Sequence, residues 1–493
     1  MGFDSSRLEA GAFEGQQLGT PCFPFPSVPG HDYTARPIAI PGTDSTMPEQ
    51  PGSARLFPRE RLGLSLLALL FLGLGFMTVM RSAFMSNPKT DFQVYARAAW
   101  AVRAGADLYA ITDDNGWHYI YPPAFAIVMV PLADPYPFAS REGYLPFWLS
   151  TSLWYLIGLG CSLYTVHALA SVVLPDAVRG TRRWWYARLA PLYVCLGGVI
   201  LTISRGQVNT VVIALVAAGF VAAMRNRRLA SGAWLASAAV LKIIPALLVL
   251  YPIVRRDTRA VFGGIVTAAL LLIAMPAMIW GLPGAMEANR QTAELVLAPV
   301  LSKEADQSRH QELHGANSTH SQSVQAAVHT WMYPDRATRP DVVSPIAKWA
   351  HLGSAALMLG FTLLVARRRL TPEPADQLLL LGSLCVMMML STPISHLHYY
   401  AMVMPLVCGI WLRSVKQRPG EVGADRRTTS ILAAWGIVTA IPALPGPPFE
   451  WLRGAGFGTL ATIGLWAHGL SLIGREKLGL EMPVEGEASR LAA

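Results

Sequence analysis

The chain of 493 residues is 53% hydrophobic and only 14% charged, and it carries a formal net charge of +9. Its apolar residues fall in long blocks, which marks a polytopic membrane protein and excludes an ordinary water-soluble domain. The Lys and Arg residues sit in small clusters at the ends of those blocks, so the charge belongs to membrane topology and no nucleic-acid partner is expected; the five cysteines show no Cys-x-x-Cys spacing, and neither disulfides nor zinc are expected.

In chain order, residues 1–60 are rich in Pro, Gly and Ser and lack the basic start, short apolar core and small-residue cleavage site of a secretory signal, so they read as a disordered cytoplasmic tail. Residues 475–493 read as a second cytoplasmic tail. Between them, 61–474 read as one all-α membrane domain. Candidate spans are 62–80, 146–170, 189–204, 207–224, 260–281, 347–366, 377–394, 399–412, 429–446 and 456–473, judged against the ~20 apolar residues a crossing needs. Two of these, 189–204 and 399–412, are short and are expected to be broken or little tilted.

One further apolar block, "ASGAWLASAAVLKIIPALLVLYPIV", is interrupted by Lys242 and Pro245 and flanked by arginines at both ends. A single crossing here would turn Arg255, Arg256, Arg259, Arg367, Arg368, Arg369, Arg413, Lys416, Arg418, Arg426 and Arg427 outward, against the positive-inside rule. A re-entrant hairpin keeps them all cytoplasmic, together with Arg179, Arg182, Arg183, Arg225, Arg227 and Arg228. Ten crossings and one hairpin then leave both termini inside. The outward segments are two large loops, 81–145 and 282–346, with short turns at 204–206, 395–398 and 447–455. The first loop contains "IYPPAFAIVMVPLA", only ~21 Å long as a helix and so unable to span; it reads as an interfacial or re-entrant helix begun by Pro122 and Pro123.

The polar motifs gather on the outward side. Asp91, directly after the first span, reads either as the N-cap of the helix "FQVYARAAWAVRAG" or as a general base, since an acceptor hydroxyl attacking an activated sugar must lose its proton. In "SRGQVN", Gly206 and Asn209 suit a tight turn and a cap, while Arg205 and Gln207 can bind a phosphate and sugar hydroxyls. In "SHLHYY", His396 and His398 are placed to donate to phosphate oxygens; no nearby acid or histidine completes a ligand set, so no metal is expected. Tyr399 and Tyr400 in the same motif also suit interfacial anchoring. Lys242 is either an intramembrane cation with a partner or one that snorkels to the cytoplasmic side. The second outer loop is long, polar and histidine-bearing, with His310, His314, His320 and His329, and it suits a segment that folds over an outward cavity.

Taken in order, "TDFQVYARAAWAVRAGADLYA", "YIYPPAFA" with its trailing "PLA", "GQVN", "LKIIPALLVLYPIVRR" and "SHLHYY" resemble glycosyltransferase family 87. This is the polyprenol-phosphate-mannose-dependent α-mannosyltransferase family of the type C glycosyltransferase superfamily. The resemblance runs from about Met85 to Pro405. It implies Asp91 as catalytic base and matches the family's Tyr-Pro-Pro to Tyr121, Pro122 and Pro123. Its Gly-Gln-x-Asn falls on Gly206, Gln207 and Asn209, and its Lys-x-x-Pro on Lys242 and Pro245. Where many relatives carry Asn-Gln-Ser, this chain has Ser321, Gln322 and Ser323.

The resemblance also implies a type C glycosyltransferase-like fold in a bacterial plasma membrane, with the site on the outer face. The expected reaction needs no cofactor. A sugar, mannose first and arabinofuranose or another hexose as the alternative, passes from a polyprenyl-phosphate-linked donor to a glycolipid or glycan acceptor among the membrane lipids. A lipid or lipid-linked-sugar flippase is the rival class, although no internal repeat of the transporter kind is visible.

Overall fold

The computed structural model describes residues 57–85, 89–177, 179–296, 321–418, 421–444 and 446–475. The two tails, apart from a few residues at their inner ends, lie outside these, as do His310, His314 and His320. The regular secondary structure of the described residues is helical, joined by loops such as 105–122 and 133–146, with only two isolated β-bridges, Thr112 to His118 and Ser321 to His396.

Four helices are long and apolar enough to cross a bilayer: α1 (Pro58–Phe84), α4 (Phe147–Val173), the run Thr258–Val296 and α13 (Pro345–Arg369). The expected broken span at 189–204 is present as α5 (Arg182–Val194) and α6 (Leu196–Ser204), bent by 65°. The helix α1 shows Leu62, Leu66, Leu69 and Leu72 on its outside, as a lipid-facing helix should.

At the centre the pattern reverses. Helix α14 (Pro374–Leu390) is buried at every position from Ala375 to Leu390, and α15 (Met404–Lys416) from Met404 to Val415. Neither reaches ~20 residues alone, but the 3₁₀ turn Leu397–Val403 leads directly into α15 and lengthens that crossing. Helix α7 (Asn209–Met224) joins this protein-enclosed core.

The interrupted block forms the expected hairpin. Helix α8 (Arg228–Leu241) stops at Lys242, whose backbone is extended (φ −151°, ψ 120°). The chain then returns through the 3₁₀ segment Ile244–Val249 and α9 (Leu250–Val254). Arg228 at the start of the block lies 4.0 Å from Asp257 just past its end, so both ends meet at one level and Lys242 forms the tip. At ~1.5 Å per residue α8 lifts that tip about 21 Å. Gly232 lets α8 touch the backbone of α10 (Thr258–Ala269): a Cβ there would collide with the Ala260 carbonyl. The run continues through a π-helical turn, Leu270–Ala274, into α11 (Met275–Val296), which is kinked at Gly281.

The arginine-rich end is tied by polar contacts. Arg182 pairs with Glu60 (2.7 Å), Arg413 with Asp376, and Arg255 donates to Gln377 (2.9 Å). These residues come from α1, α5, α9, α14 and α15, so charges separated in sequence share one end of the bundle. The motifs expected to be functional lie at the other.

Candidate functional site

The site begins where α2 (Asp91–Ala104) meets the turn after α6. Asp91 is the first helical residue and Thr90 occupies the cap position without a side-chain cap bond, so capping by the Asp91 carboxylate is not what the helix uses it for. The Asp91 N–H donates to the Arg205 carbonyl (2.8 Å). The next carbonyl, that of Gly206, accepts from Trp154 Nε1 (2.8 Å), and Gln207 N donates to Thr202 O (3.0 Å). Gly206 has φ +67°, which a side chain would disfavour, and it packs directly on Phe92. Phe92 in turn stacks on Phe147 and Trp154, with ring centroids 5.7 and 6.0 Å away. The turn carrying Arg205 and Gln207 is therefore locked to the residue that carries the carboxylate.

The hairpin tip reaches the same site. Lys242 is 4% exposed and its ammonium donates to Asn209 Oδ1 (2.8 Å), so it reaches into the site rather than snorkelling away. It also lies 4.2 Å from the Tyr399 ring centre and 5.8 Å from that of Tyr121, both within cation–π range. Asn209 uses its other end to donate to the His398 carbonyl (3.3 Å), which also accepts from Thr202 (2.7 Å). Asn209 thus joins the hairpin tip to the histidine loop. In that loop His396 and His398 stack with centroids 5.3 Å apart, and the buried His398 has no partner for Nε2 among the described residues.

All the sequence-predicted residues, Asp91, Tyr121, Arg205, Gln207, Asn209, Lys242, His396, His398 and Tyr399, thus converge. Tyr400 is not an interfacial anchor; it is buried and donates to Gln322 (3.2 Å). His329, from the second outer loop, is buried and hydrogen-bonded to Pro340 O and Ser344 N, a structural position. The structure also adds residues. Tyr95, one helical turn after Asp91, has its hydroxyl 3.1 Å from that of Tyr121 and 3.4 Å from Gln207 Oε1; the i, i+4 spacing from Asp91 was its signal. Arg81, in the last turn of α1, donates to the Lys89 carbonyl (3.5 Å), two residues before Asp91. Gln322 holds the histidine loop: its N–H bonds the Ser395 carbonyl, and its side chain donates to Arg453 O (3.0 Å).

Burial raises the Asp91 carboxyl above its ordinary value of 3.8, against a hydrogen bond from Gln207 and the charges of Arg205 and Lys242; the charge of Asp113 raises it further. Asp113 itself is committed to loop structure, accepting from the backbone of Asn115 and Trp117 at 2.8 Å each. The outcome is one carboxylate of raised basicity that feels the charges of Arg205 and Lys242. Among the described residues no cluster of three or more His, Cys, Asp or Glu side chains is arranged to hold a metal ion.

Beside the tip runs an apolar groove of about 520 Å³ between the hairpin and the Thr258–Val296 run. It starts at Pro122, Ile243 and Pro245, sequence neighbours of Tyr121 and Lys242, and is walled further on by Leu235, Val249 and Ile265.

Comparison with functionally curated proteins finds no match. Among solved structures, ArnT from Cupriavidus metallidurans is similar in two forms. The form bound to undecaprenyl phosphate is 16% identical with a TM-score of 0.37, and the apo form 15% identical with a TM-score of 0.38; in each, 84% of this chain and 78% of ArnT are covered. A superposition this loose carries no residue roles to this chain. The model of glycosyltransferase family 87 matches residues 119–393, more than half of the sequence; Tyr121, Arg205, Gln207, Asn209 and Lys242 lie within the match, Asp91 and the histidine loop outside it. On that match, the chain belongs to glycosyltransferase family 87.

Proposed function

We propose that this protein transfers a sugar from a polyprenyl-phosphate-linked donor to a lipid or glycan acceptor, on the outer face of the membrane, with Asp91 as the general base. The observation that carries the reading is the meeting of Asp91 with Arg205 and with Lys242 at the tip of a hairpin, beside a groove open to apolar chains. The donor's polyprenyl chain lies in that groove, and its phosphate sits at the mouth against Arg205, Lys242 and His398.

In the transfer, the Asp91 carboxylate takes the proton of the acceptor hydroxyl as its oxygen forms a bond to the anomeric carbon. The bond from that carbon to the donor phosphate breaks with inversion, and the phosphate leaves with the electron pair. A phosphate leaves without protonation, so a second catalytic carboxylate, which glycoside hydrolases need, is not required. Arg205, Lys242 and His398 stabilise the charge that grows on the departing group. Tyr95, Tyr121 and Gln207 offer hydroxyl and amide groups to the sugar.

We take mannose as the transferred sugar, from the family resemblance, with arabinofuranose as the alternative. Membranes containing the protein, supplied separately with radiolabelled polyprenyl-phosphate mannose and polyprenyl-phosphate arabinose, are expected to move label from the mannose donor into acceptor. Transfer from the arabinose donor alone would correct the sugar and keep the mechanism. Transfer from neither, with lipid acceptors present, would contradict the reading.

A further inference from the structure

A second cleft, of about 630 Å³, lies away from Asp91, between the end of α12 (Val324–Met332) with the loop that follows it and the pair α17 (Pro447–Gly454) and α18 (Phe457–Leu472). One part of its lining holds Arg336 and Arg339. Arg339 is only 6% exposed; its Nε donates to Tyr333 O (2.9 Å) and its Nη2 to Pro334 O (3.5 Å), while the enclosed Nη1 has no partner among the described residues. A guanidinium so placed is costly unless an anion answers it. Asp335 and Glu450, beside it, are engaged elsewhere. Asp335 accepts from Ala337 N and Thr338 Oγ1, and Glu450 is shared between Arg336 (3.8 Å) and Arg453 (3.6 Å). Burial and then the charge of Arg336 hold the Arg339 guanidinium below its ordinary pKa, with Asp335 opposing.

Another part of the lining is of the opposite character. Trp451, Phe457 and Leu460 are exposed at 66%, 41% and 48%, and the last two open the apolar helix α18. Two guanidinium groups beside an exposed aromatic and aliphatic wall match an amphiphile with a phosphate near its head, because a guanidinium offers a phosphate two parallel hydrogen bonds and Trp favours the water–lipid boundary.

We propose that this cleft is a lipid site separate from the donor groove, taking the phosphodiester of an anionic lipid on Arg339 and Arg336, with its chains along Trp451, Phe457 and Leu460. Two sources share that chemistry: a plain membrane phospholipid, and a phospholipid-anchored glycan serving as acceptor. The site does not depend on the reading of Asp91; only the second source does. The architecture connects the two regions. Ser321, just before α12, pairs with His396, and Trp331 at the far end of α12 donates to Ala455 O (2.9 Å) beside the cleft.

The test is lipid retention by the purified full-length protein, read by native mass spectrometry with added phosphatidylglycerol. Wild type is expected to retain phosphatidylglycerol at least tenfold more tightly than Arg339→Gln and at least threefold more tightly than Arg336→Gln. Arg290→Gln, at an exposed arginine paired on its own helix, is expected to match wild type. Arg336 is itself exposed and, among the described residues, its side chain pairs with Glu450 alone (3.8 Å), so its variant keeps the test decisive even if Arg339→Gln does not fold. Equal retention by wild type and Arg336→Gln would overturn the proposal. Extraction of the lipid that copurifies with wild type but not with Arg336→Gln separates the sources: a phospholipid without sugar or a glycosylated one each supports the site, and a lipid without phosphate overturns it. Because binding is read without turnover, failure of sugar transfer with retention intact would count against the Asp91 reading alone.

Discussion

Replacing Gly206 by Ala tests whether the turn after α6 holds the carboxylate. An added Cβ would lie 2.6 Å from Phe92 Cβ and 3.3 Å from Phe92 N, and the backbone there has φ +67°. The left-handed conformation costs a side chain roughly 1–2 kcal/mol. Overpacking adds about 1–3 kcal/mol, since Phe92 is wedged against Phe147 and Trp154 and cannot swing aside. The expected loss of stability is therefore about 2–5 kcal/mol, less whatever is relieved by moving the start of α2. That relief has its own cost, because Asp91 adjoins Phe92 and a shift of about 1 Å at a catalytic group can cost roughly 10²-fold in rate. Unfolding of the detergent-solubilised protein and transfer of labelled sugar should both show the damage. A Gly206→Ala protein as stable as wild type, and within twofold of it in rate, would refute the reasoning.

Lys242→Met removes the hairpin's charge and strands Asn209 Oδ1; with charge-assisted hydrogen bonds worth ~1.5–3 kcal/mol, donor transfer should fall roughly 10- to 100-fold, and a rate unchanged from wild type would remove Lys242 from the site. Transfer should also fall as pH drops through the Asp91 pKa, with a midpoint above 3.8, because the base must be ionised; a pH profile of kcat/KM checks this. The stability effect has the opposite sign. A carboxyl whose folded pKa is raised favours folding below its unfolded pKa and loses that contribution as pH rises through the folded value, so Asp91→Asn should be more stable than wild type at neutral pH and lose that advantage in acid. Unfolding curves at the two pH values read the difference.

The hairpin was legible because its signals are local and mutually consistent: a cation and a proline inside an apolar block, with arginines at both ends. The helix breaks at Lys242, where those signals fall. The buried core helices were legible only as apolar blocks, since a helix enclosed by protein and one facing lipid are both apolar all round, and nothing in 377–394 distinguishes it from 62–80. Among the site residues, Asp91, Arg205, Gln207 and Lys242 could be named because each is a polar group in an unlikely place. Gln322 could not, beyond its place in a triplet whose first residue, Ser321, departs from the relatives: its partners Tyr400 and Thr459 are 78 and 137 residues away in sequence. Asn209 could be named with its Gly-Gln-x-Asn motif, as a cap or a binding residue, but its bridge between the hairpin tip and the histidine loop could not be read for the same reason.

The central claim is that Asp91 removes the acceptor's proton. Its most direct test is the rate of sugar transfer from polyprenyl-phosphate mannose by Asp91→Asn, set against wild type at equal amounts in the membrane. The amide keeps the size and polarity of the side chain but takes no proton, so the rate should drop by about 10²–10⁴-fold with donor binding retained. Transfer at the wild-type rate would show that Asp91 is not the base.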